Sequence, residues 1–301
     1  MTSKLKKVLK QPQLLLHLLI KKAKIFRLLS DETYIKINYK LRLRQKLNLS
    51  NPQSFNEKLQ WLKLYNRKRE YSLLVDKFEV RNYIAETIGE KYLIPLLGVY
   101  NCYDEINFDE LPDQFVLKPN HTSGDVYICK DKSKINHSKL RRDINKWLKR
   151  EYFWVHREWP YKNIKPRIIC EKYMVDETGL GLNDFKLMCF NGKVKCTFVC
   201  LNRETKKGVN IDIYDQNWNL MPFGRKHRTN SGSLTTVPQK YHEMKDLAHK
   251  ISEYIPFVRV DFYEFKGELY FGEITFYPGS GYEEFTPNSY DLVLGSWLKI
   301  H

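Results

Sequence analysis

Apolar and polar positions along the chain repeat with a helical period in the first third and mostly with a strand period after Arg167. From Lys4 to Leu29, basic residues flank an apolar stretch, Leu14 to Ile20, and Pro12 interrupts the pattern early. The part after Pro12 reads as an amphipathic helix with basic ends and no acidic residue before Asp31. Ser54 with Glu57 forms an S-x-x-E capping box, and Leu59, Leu62, Lys63 and Asn66 continue at helical spacing, so a helix is predicted over 54–68. A second helix is predicted from Tyr71 to Ile88, closed by Gly89, followed by a short strand from Ile94 to Tyr100. Phe115 to Pro119 reads as a strand feeding a polar loop, Asn120 to Asp125, with another strand starting at Val126. A basic helix over Ser138 to Tyr152 and an aromatic connection over Trp154 to Pro166 precede the strands. Among those strands one helix stands out, because Met244, Leu247, Ala248 and Ile251 recur at i, i+3, i+4 and i+7 between Pro238 and Pro256.

Two hairpins follow from this pattern. Asn191-Gly192 is a two-residue turn signal. Pairing Phe190 with Lys193 puts Asp184, Lys186, Lys195 and Thr197 on one face and Phe185, Leu187, Cys189, Val194, Cys196 and Phe198 on the other. In the second hairpin a three-residue loop, Lys266-Gly267-Glu268, would set Asp261 opposite Glu273 and Arg259 opposite Thr275, all four on one face. Opposed carboxylates repel unless a cation sits between them, and hard divalent cations take oxygen ligands of this kind. An amphipathic hairpin with solvated charges fits the same pattern, and a two-residue loop would separate the two carboxylates. The loop after Lys118, with Asn120, His121, Thr122, Ser123 and Gly124, can set a point charge and backbone N–H groups around phosphate oxygens, although it lacks the P-loop pattern.

Composition narrows the class. With 301 residues, 42% hydrophobic and 14% aromatic, the chain is neither disordered nor a small disulfide scaffold. Its net charge of +16 is uneven: 13 Lys/Arg against Asp31 and Glu32 give +11 before residue 51, leaving +5 for the rest. An arm of this kind suits an anionic membrane surface or a helix packed on the protein. Aromatic or Gly-rich RNA-binding signatures are missing, so no nucleic-acid partner is expected. No stretch approaches the roughly 20 apolar residues that span a bilayer, and no signal-cleavage pattern follows Ile20. A cytoplasmic location is expected, peripheral at the inner membrane face if the arm binds lipid. The six cysteines form no C-x-x-C pair and are read as buried thiols.

Taken in order, Asp76-Lys77-Phe78-Glu79-Val80-Arg81, Lys118-Pro119-Asn120-His121, Glu171-Lys172-Tyr173, Asp184-Phe185-Lys186, Arg259-Val260-Asp261 and Phe271-Gly272-Glu273-Ile274-Thr275-Phe276 resemble the ATP-grasp superfamily. Their wording is similar to its TupA-like branch, named for teichuronopeptide biosynthesis. The resemblance covers roughly Asp76 to Pro287. It implies an α+β ATP-grasp fold of antiparallel-sheet subdomains clasping ATP, behind a basic helical extension. The division would be 1–50 for the extension, 51–112 for a helical subdomain, about 113–182 for the nucleotide clamp and about 183–301 for the catalytic sheet.

By the same resemblance Lys77 and Lys118 touch nucleotide phosphates under a loop containing Ser123 and Gly124. Glu171, Lys172 and Tyr173 form the adenine hinge, Asp184 lies near the ribose, and Lys186 lines the ATP cleft. Arg259 steadies an acyl phosphate, so Arg259 and Lys186 are the catalytic candidates. Asp261, Glu273 and Thr275 would hold Mg²⁺, Thr275 standing where many ATP-grasp ligases have Asn. The implied activity is a ligase that uses ATP and Mg²⁺ to join an amino acid or amine to a uronic-acid group of a cell-surface glycan or its precursor. A sugar kinase on the same fold, or a glycosyltransferase-like or non-catalytic component of polysaccharide assembly, are the alternatives. Trp154 to Tyr161 and Arg225 to Arg228 are acceptor-site candidates or packing and solvated segments.

Overall fold

The computed structural model describes residues 24–174, 182–201, 209–225 and 235–300. The basic arm before residue 24, with its Leu14 to Ile20 stretch, and Lys226, His227 and Arg228 lie outside the described residues. No helix among the described residues is long and apolar enough to cross a membrane. The helical layer begins with α1 (Asp31–Leu43) and α2 (Phe55–Tyr65). The Ser54 side chain accepts from Glu57 N and the Glu57 carboxylate accepts from Ser54 N, the reciprocal cap that the sequence pattern predicts.

The helix predicted from Tyr71 to Ile88 is instead two, α3 (Glu70–Val75) and α4 (Val80–Thr87). Asp76 breaks it. Its Oδ1 accepts from Phe78 N at 2.8 Å and Glu79 N at 3.3 Å, so a side chain takes donors that a continuous helix would aim at backbone carbonyls.

Two antiparallel sheets follow. The first has the order β1 (Leu96–Tyr100), β4 (Ile168–Lys172), β2 (Phe115–Pro119), β3 (Tyr127–Cys129). Helix α5 (His137–Leu148) covers it, burying Leu140, Ile144 and Trp147 against Phe115, Leu117 and Cys170. The short helix α6 (Phe153–His156) leads out of α5 towards β4. The second sheet has the order β7 (Asn210–Asp215), β6 (Lys193–Leu201), β5 (Asp184–Phe190), β8 (Phe257–Phe265), β9 (Glu268–Thr275). Helix α7 (Tyr241–Ser252) covers one face of it with Met244, Leu247, Ala248 and Ile251, the four residues of the sequence pattern. Helix α8 (Tyr290–Trp297) packs beside α2, and the largest core joins this sheet to α2, α3, α4, α7 and α8. All six cysteines are free; five are buried and Cys102 is half-buried.

Both hairpins contain a bulge absent from the expected registers. In β5–β6, Cys189 pairs with Val194 but Met188 pairs with Cys196, so Lys195 is an extra residue. One extra residue inverts the parity beyond it. Lys186 therefore faces Phe198, and Thr197, expected beside Lys186, points to the other face, its Oγ1 3.1 Å from the Tyr241 hydroxyl on α7.

In β8–β9 the loop has two residues, Lys266 and Gly267, at φ 52° and 76°, where three were expected, and Phe265 pairs with Glu268. A bulge at Gly272 then restores the pairs Asp261 with Glu273 and Arg259 with Thr275. A Cβ on Gly272 would lie 2.9 Å from Tyr263 Cε2 and 3.2 Å from Asp261 O. Gly272→Ala is expected to destabilise the fold by roughly 1–3 kcal/mol through this overpacking. A urea midpoint equal to the wild type would show that the Tyr263 ring yields without cost.

Candidate active site

The face of the second sheet turned away from α7 carries the charged groups. Asp261, 1% exposed, accepts from Arg259 Nε at Oδ1 and from Arg259 Nη2 at Oδ2, both at 2.7 Å. It also pairs with Lys186, whose Nζ lies 2.7 Å from Asp184 Oδ2. Arg259 Nη2 reaches Glu273 Oε1 at 2.7 Å, and Thr275 Oγ1 donates to the same oxygen at 3.4 Å. Three carboxylates and two cations from three adjacent strands thus form one network, which the bulge at Gly272 brings into register.

Burial sets the direction of these groups where neighbouring charge does not. It pushes Asp261 above the usual carboxylate range, with Arg259 and Lys186 pulling the other way. It would push Glu273 up too, but Arg259, Lys77, Lys186 and Lys118 together outweigh it and hold Glu273 at about 2. Burial works against the charged forms of Lys186 and Arg259. Asp261, Asp184 and Glu273 together more than offset it for both, so both stay protonated more firmly than free side chains.

The first sheet faces this network across a cleft of about 500 Å³. Lys77, Lys118, Ser123, Gly124, Glu171, Lys172, Tyr173, Asp184, Lys186 and Glu273 line it. Lys118 on β2 pairs with Glu171 on β4 (Nζ to Oε2, 2.5 Å), and Arg81 from α4 approaches the other oxygen at 3.7 Å. Lys77 donates to Thr122 O at 2.6 Å; burial lowers its ordinary value, and Glu273 acts against that. Residues from five parts of the sequence therefore share one cavity. Arg259 and Asp261 lie beneath its Glu273 wall, and Thr275 is beside them.

Asp261 and Glu273 are hard oxygen donors standing opposite one another, with a hydroxyl alongside, which suits Mg²⁺: that ion takes one or two carboxylates and completes its shell with phosphate oxygens and water. Among the described residues no group of three or more His, Cys, Asp or Glu forms a closed metal cage, and Mg²⁺ does not need one.

The structure also shows two polar groups that residue patterns did not single out for chemistry, Gln60 and Lys63. Behind β9, Gly279, Ser280 and Gly281 have φ of 54°, 57° and 65°, a left-handed turn. Gln60 and Lys63 of α2 hold it: Lys63, with no exposed surface, donates to Ser280 O at 2.6 Å, Gln60 Oε1 at 2.9 Å and His156 O at 3.2 Å. Ser280 Oγ donates to the buried Glu158 at 2.6 Å. Lys63 reads in sequence as one more residue of an amphipathic helix, and nothing local marks it as buried. Of the acceptor candidates, Trp154 packs under Arg157, whose guanidinium lies 4.3 Å from its ring centre, while Arg225 is committed to Glu283 (Nε to Oε2, 2.6 Å).

The sequence matches the family described as TupA-like ATPgrasp over residues 57–299, further in both directions than the motifs that suggested it. Comparison with curated proteins finds no match. Solved structures with a related arrangement include D-alanine–D-alanine ligase from Bacillus anthracis complexed with ATP: 16% identity, 67% of this chain and 53% of that one, TM-score 0.40. The present chain thus spans about half the length of that ligase. The Helicobacter pylori D-alanine–D-alanine ligase shares 16% identity over 82% of this chain and 70% of that one, with TM-score 0.41. An ATP-grasp RimK domain protein from Sphaerobacter thermophilus shares 11% over 77% and 70%, with TM-score 0.43.

Proposed function

Since the chain belongs to the TupA-like ATP-grasp family, we propose that it is an ATP- and Mg²⁺-dependent ligase forming an amide bond through an acyl phosphate. The substrates assigned to it are an amine or amino acid and an acidic, uronic-acid-bearing glycan or glycan precursor. The observation that carries the ATP-dependent part is the cleft itself. Three lysines, Lys77, Lys118 and Lys186, converge on one cavity whose floor adjoins the opposed pair Asp261 and Glu273.

In this reading Lys77 and Lys118 hold the phosphates as point charges, and the Ser123-Gly124 loop lies over them. Glu171 to Tyr173 take the base and Asp184 the ribose. Lys186 and Arg259 stay protonated throughout, so they neutralise charge and do not shuttle protons. Mg²⁺ held by Asp261 and Glu273 would neutralise charge on the transferring phosphoryl group. The carboxylate oxygen of the acid attacks the γ-phosphorus and ADP leaves. The amine then attacks the acyl carbon, loses a proton and displaces phosphate. Arg259 stands where it can steady the acyl phosphate, so most of the catalytic effect is positioning and electrostatics.

The test is product mass spectrometry with MgATP, amino acids and glucuronate or galacturonate, with hydroxylamine in parallel. ADP with an amide product, and a hydroxamate in the trap, is the expected result. ADP with a phosphorylated sugar and no hydroxamate would replace the ligase with a kinase. An absence of thermal stabilisation by MgATP would remove ATP chemistry altogether.

A further inference from the structure

Asp76 is buried at the break between α3 and α4, and Asn120, with no exposed surface, sits at the end of β2. They meet: Asn120 Nδ2 donates to Asp76 Oδ2 at 2.9 Å. Asn120 is bonded on its other sides as well. Its Nδ2 also donates to Lys165 O at 3.0 Å, and its Oδ1 accepts from Arg167 N at 2.8 Å. Its backbone N donates to Arg167 O at 3.0 Å, and its backbone O accepts from Lys77 N at 3.1 Å. One amide residue thus joins the α3–α4 break, the loop after β2 and the approach to β4.

That junction fixes two things on the phosphate side of the cleft. Lys77 follows Asp76 directly, its N–H is held by Asn120 O, and its ammonium is held by Thr122 O, two residues further along the loop. The loop Asn120 to Gly124 begins at the same amide. The helical layer, through α3, packs on β9, which carries Glu273. A buried carboxylate costs free energy unless its oxygens are bonded. Asp76 meets that condition with three donors, Phe78 N, Glu79 N and Asn120 Nδ2, and two of these bonds are what break the helix.

We propose that Asp76 and Asn120 are a pair of positioning residues that place Lys77 and the Asn120–Gly124 loop against the nucleotide phosphates. The proposal rests on the ATP reading above. It adds residues that need touch no ligand and whose effect falls on the phosphates, not on the base.

The test compares MgATP with adenosine, which has the base and ribose but no phosphates, by titration calorimetry on the full chain. Asp76→Asn, an isosteric change that sets amide against amide, and Asn120→Ala are expected to weaken MgATP at least about tenfold, the order of one charge-assisted contact. Adenosine affinity is expected to stay within about twofold, because only the phosphate contacts depend on the pair. The swapped double variant D76N/N120D, which restores a donor facing a carboxylate but loses the bond to Lys165 O, is expected to recover part of the loss. A purely structural role would lower the unfolding midpoint and weaken both ligands together. That result, or an unchanged ratio of the two affinities in folded D76N, overturns the proposal. Wild-type protein binding neither ligand would instead overturn the ATP reading.

Discussion

Asp261→Asn is expected to abolish the extra thermal stabilisation that Mg²⁺ adds to ATP and to lower the unfolding free energy by about 3 kcal/mol, the lower end for breaking a buried ion pair. Asp261 receives both ends of the Arg259 fork and the Lys186 ammonium at 1% exposure. Removing its charge leaves Lys186 with Asp184 and Arg259 with Glu273, so the network is weakened without being dismantled. The two effects are read separately. Urea unfolding without nucleotide reports the ion pairs, and melting with ATP plus EDTA against ATP plus Mg²⁺ reports the metal. If D261N retains the full Mg²⁺ increment, the metal assignment of this residue fails even if stability falls as expected. Glu273→Gln should show the same loss of the increment.

Glu158→Gln is expected to cost about 1–3 kcal/mol near neutral pH, because it takes a buried carboxylate from its bond with Ser280 and from the field of a fully buried lysine. Burial lowers Lys63 to about 7 despite Glu158 acting the other way, and burial raises Glu158, opposed by Lys63 and Ser280. The sign of the pH dependence follows. Between about 7 and the ordinary lysine value of 10.5 the unfolded chain binds a proton at Lys63 that the folded chain has lost, so this group makes stability rise with pH over that window. Glu158 acts oppositely just above the ordinary glutamate value of 4.5, where the folded chain keeps a proton that the unfolded chain releases. Urea midpoints of wild type and Lys63→Met at pH 7 and pH 9 isolate the lysine. The wild type should gain on the variant as pH rises. An unchanged difference would mean that Lys63 remains charged across the range. Since Lys63 and Glu158 brace the left-handed turn after β9, loss of either should also expose the amides of that turn to hydrogen exchange before those of β5.

Local chemistry made several elements legible. The cap Ser54–Glu57, the apolar stripe of α7 and the turn Asn191-Gly192 each rest on neighbours within a few residues, and each forms as the pattern predicts. The sequence pattern pairs Asp261 with Glu273 through a loop one residue too long. It stands because the bulge at Gly272 adds back the residue that the shorter loop removes. The same device at Lys195 has no such compensation, so Thr197 lies on the face opposite to the one that alternation predicts. A bulge answers to twist and packing across the sheet, which alternation along one strand does not record. Helix 71–88 breaks where Asp76 Oδ1 takes Phe78 N and Glu79 N, while its Oδ2 is bonded to Asn120, 44 residues away.

Residue types and their order along the chain therefore settle which groups are available to the cleft: its lysines, its opposed acids and the arginine between them, together with the family match that collects them. These depend on side-chain chemistry and short-range periodicity, both of which a linear chain carries. Which groups are buried, and against what, came only from packing. Lys63 reads in sequence as one more helix-face lysine, yet it is enclosed among backbone carbonyls, whereas Lys118, which the polar loop after it marks, lines a cavity paired with Glu171. The difference is desolvation, which depends on elements far apart in the chain closing around a side chain. It is this closure that separates the lysine bracing a turn from the lysine facing the cleft.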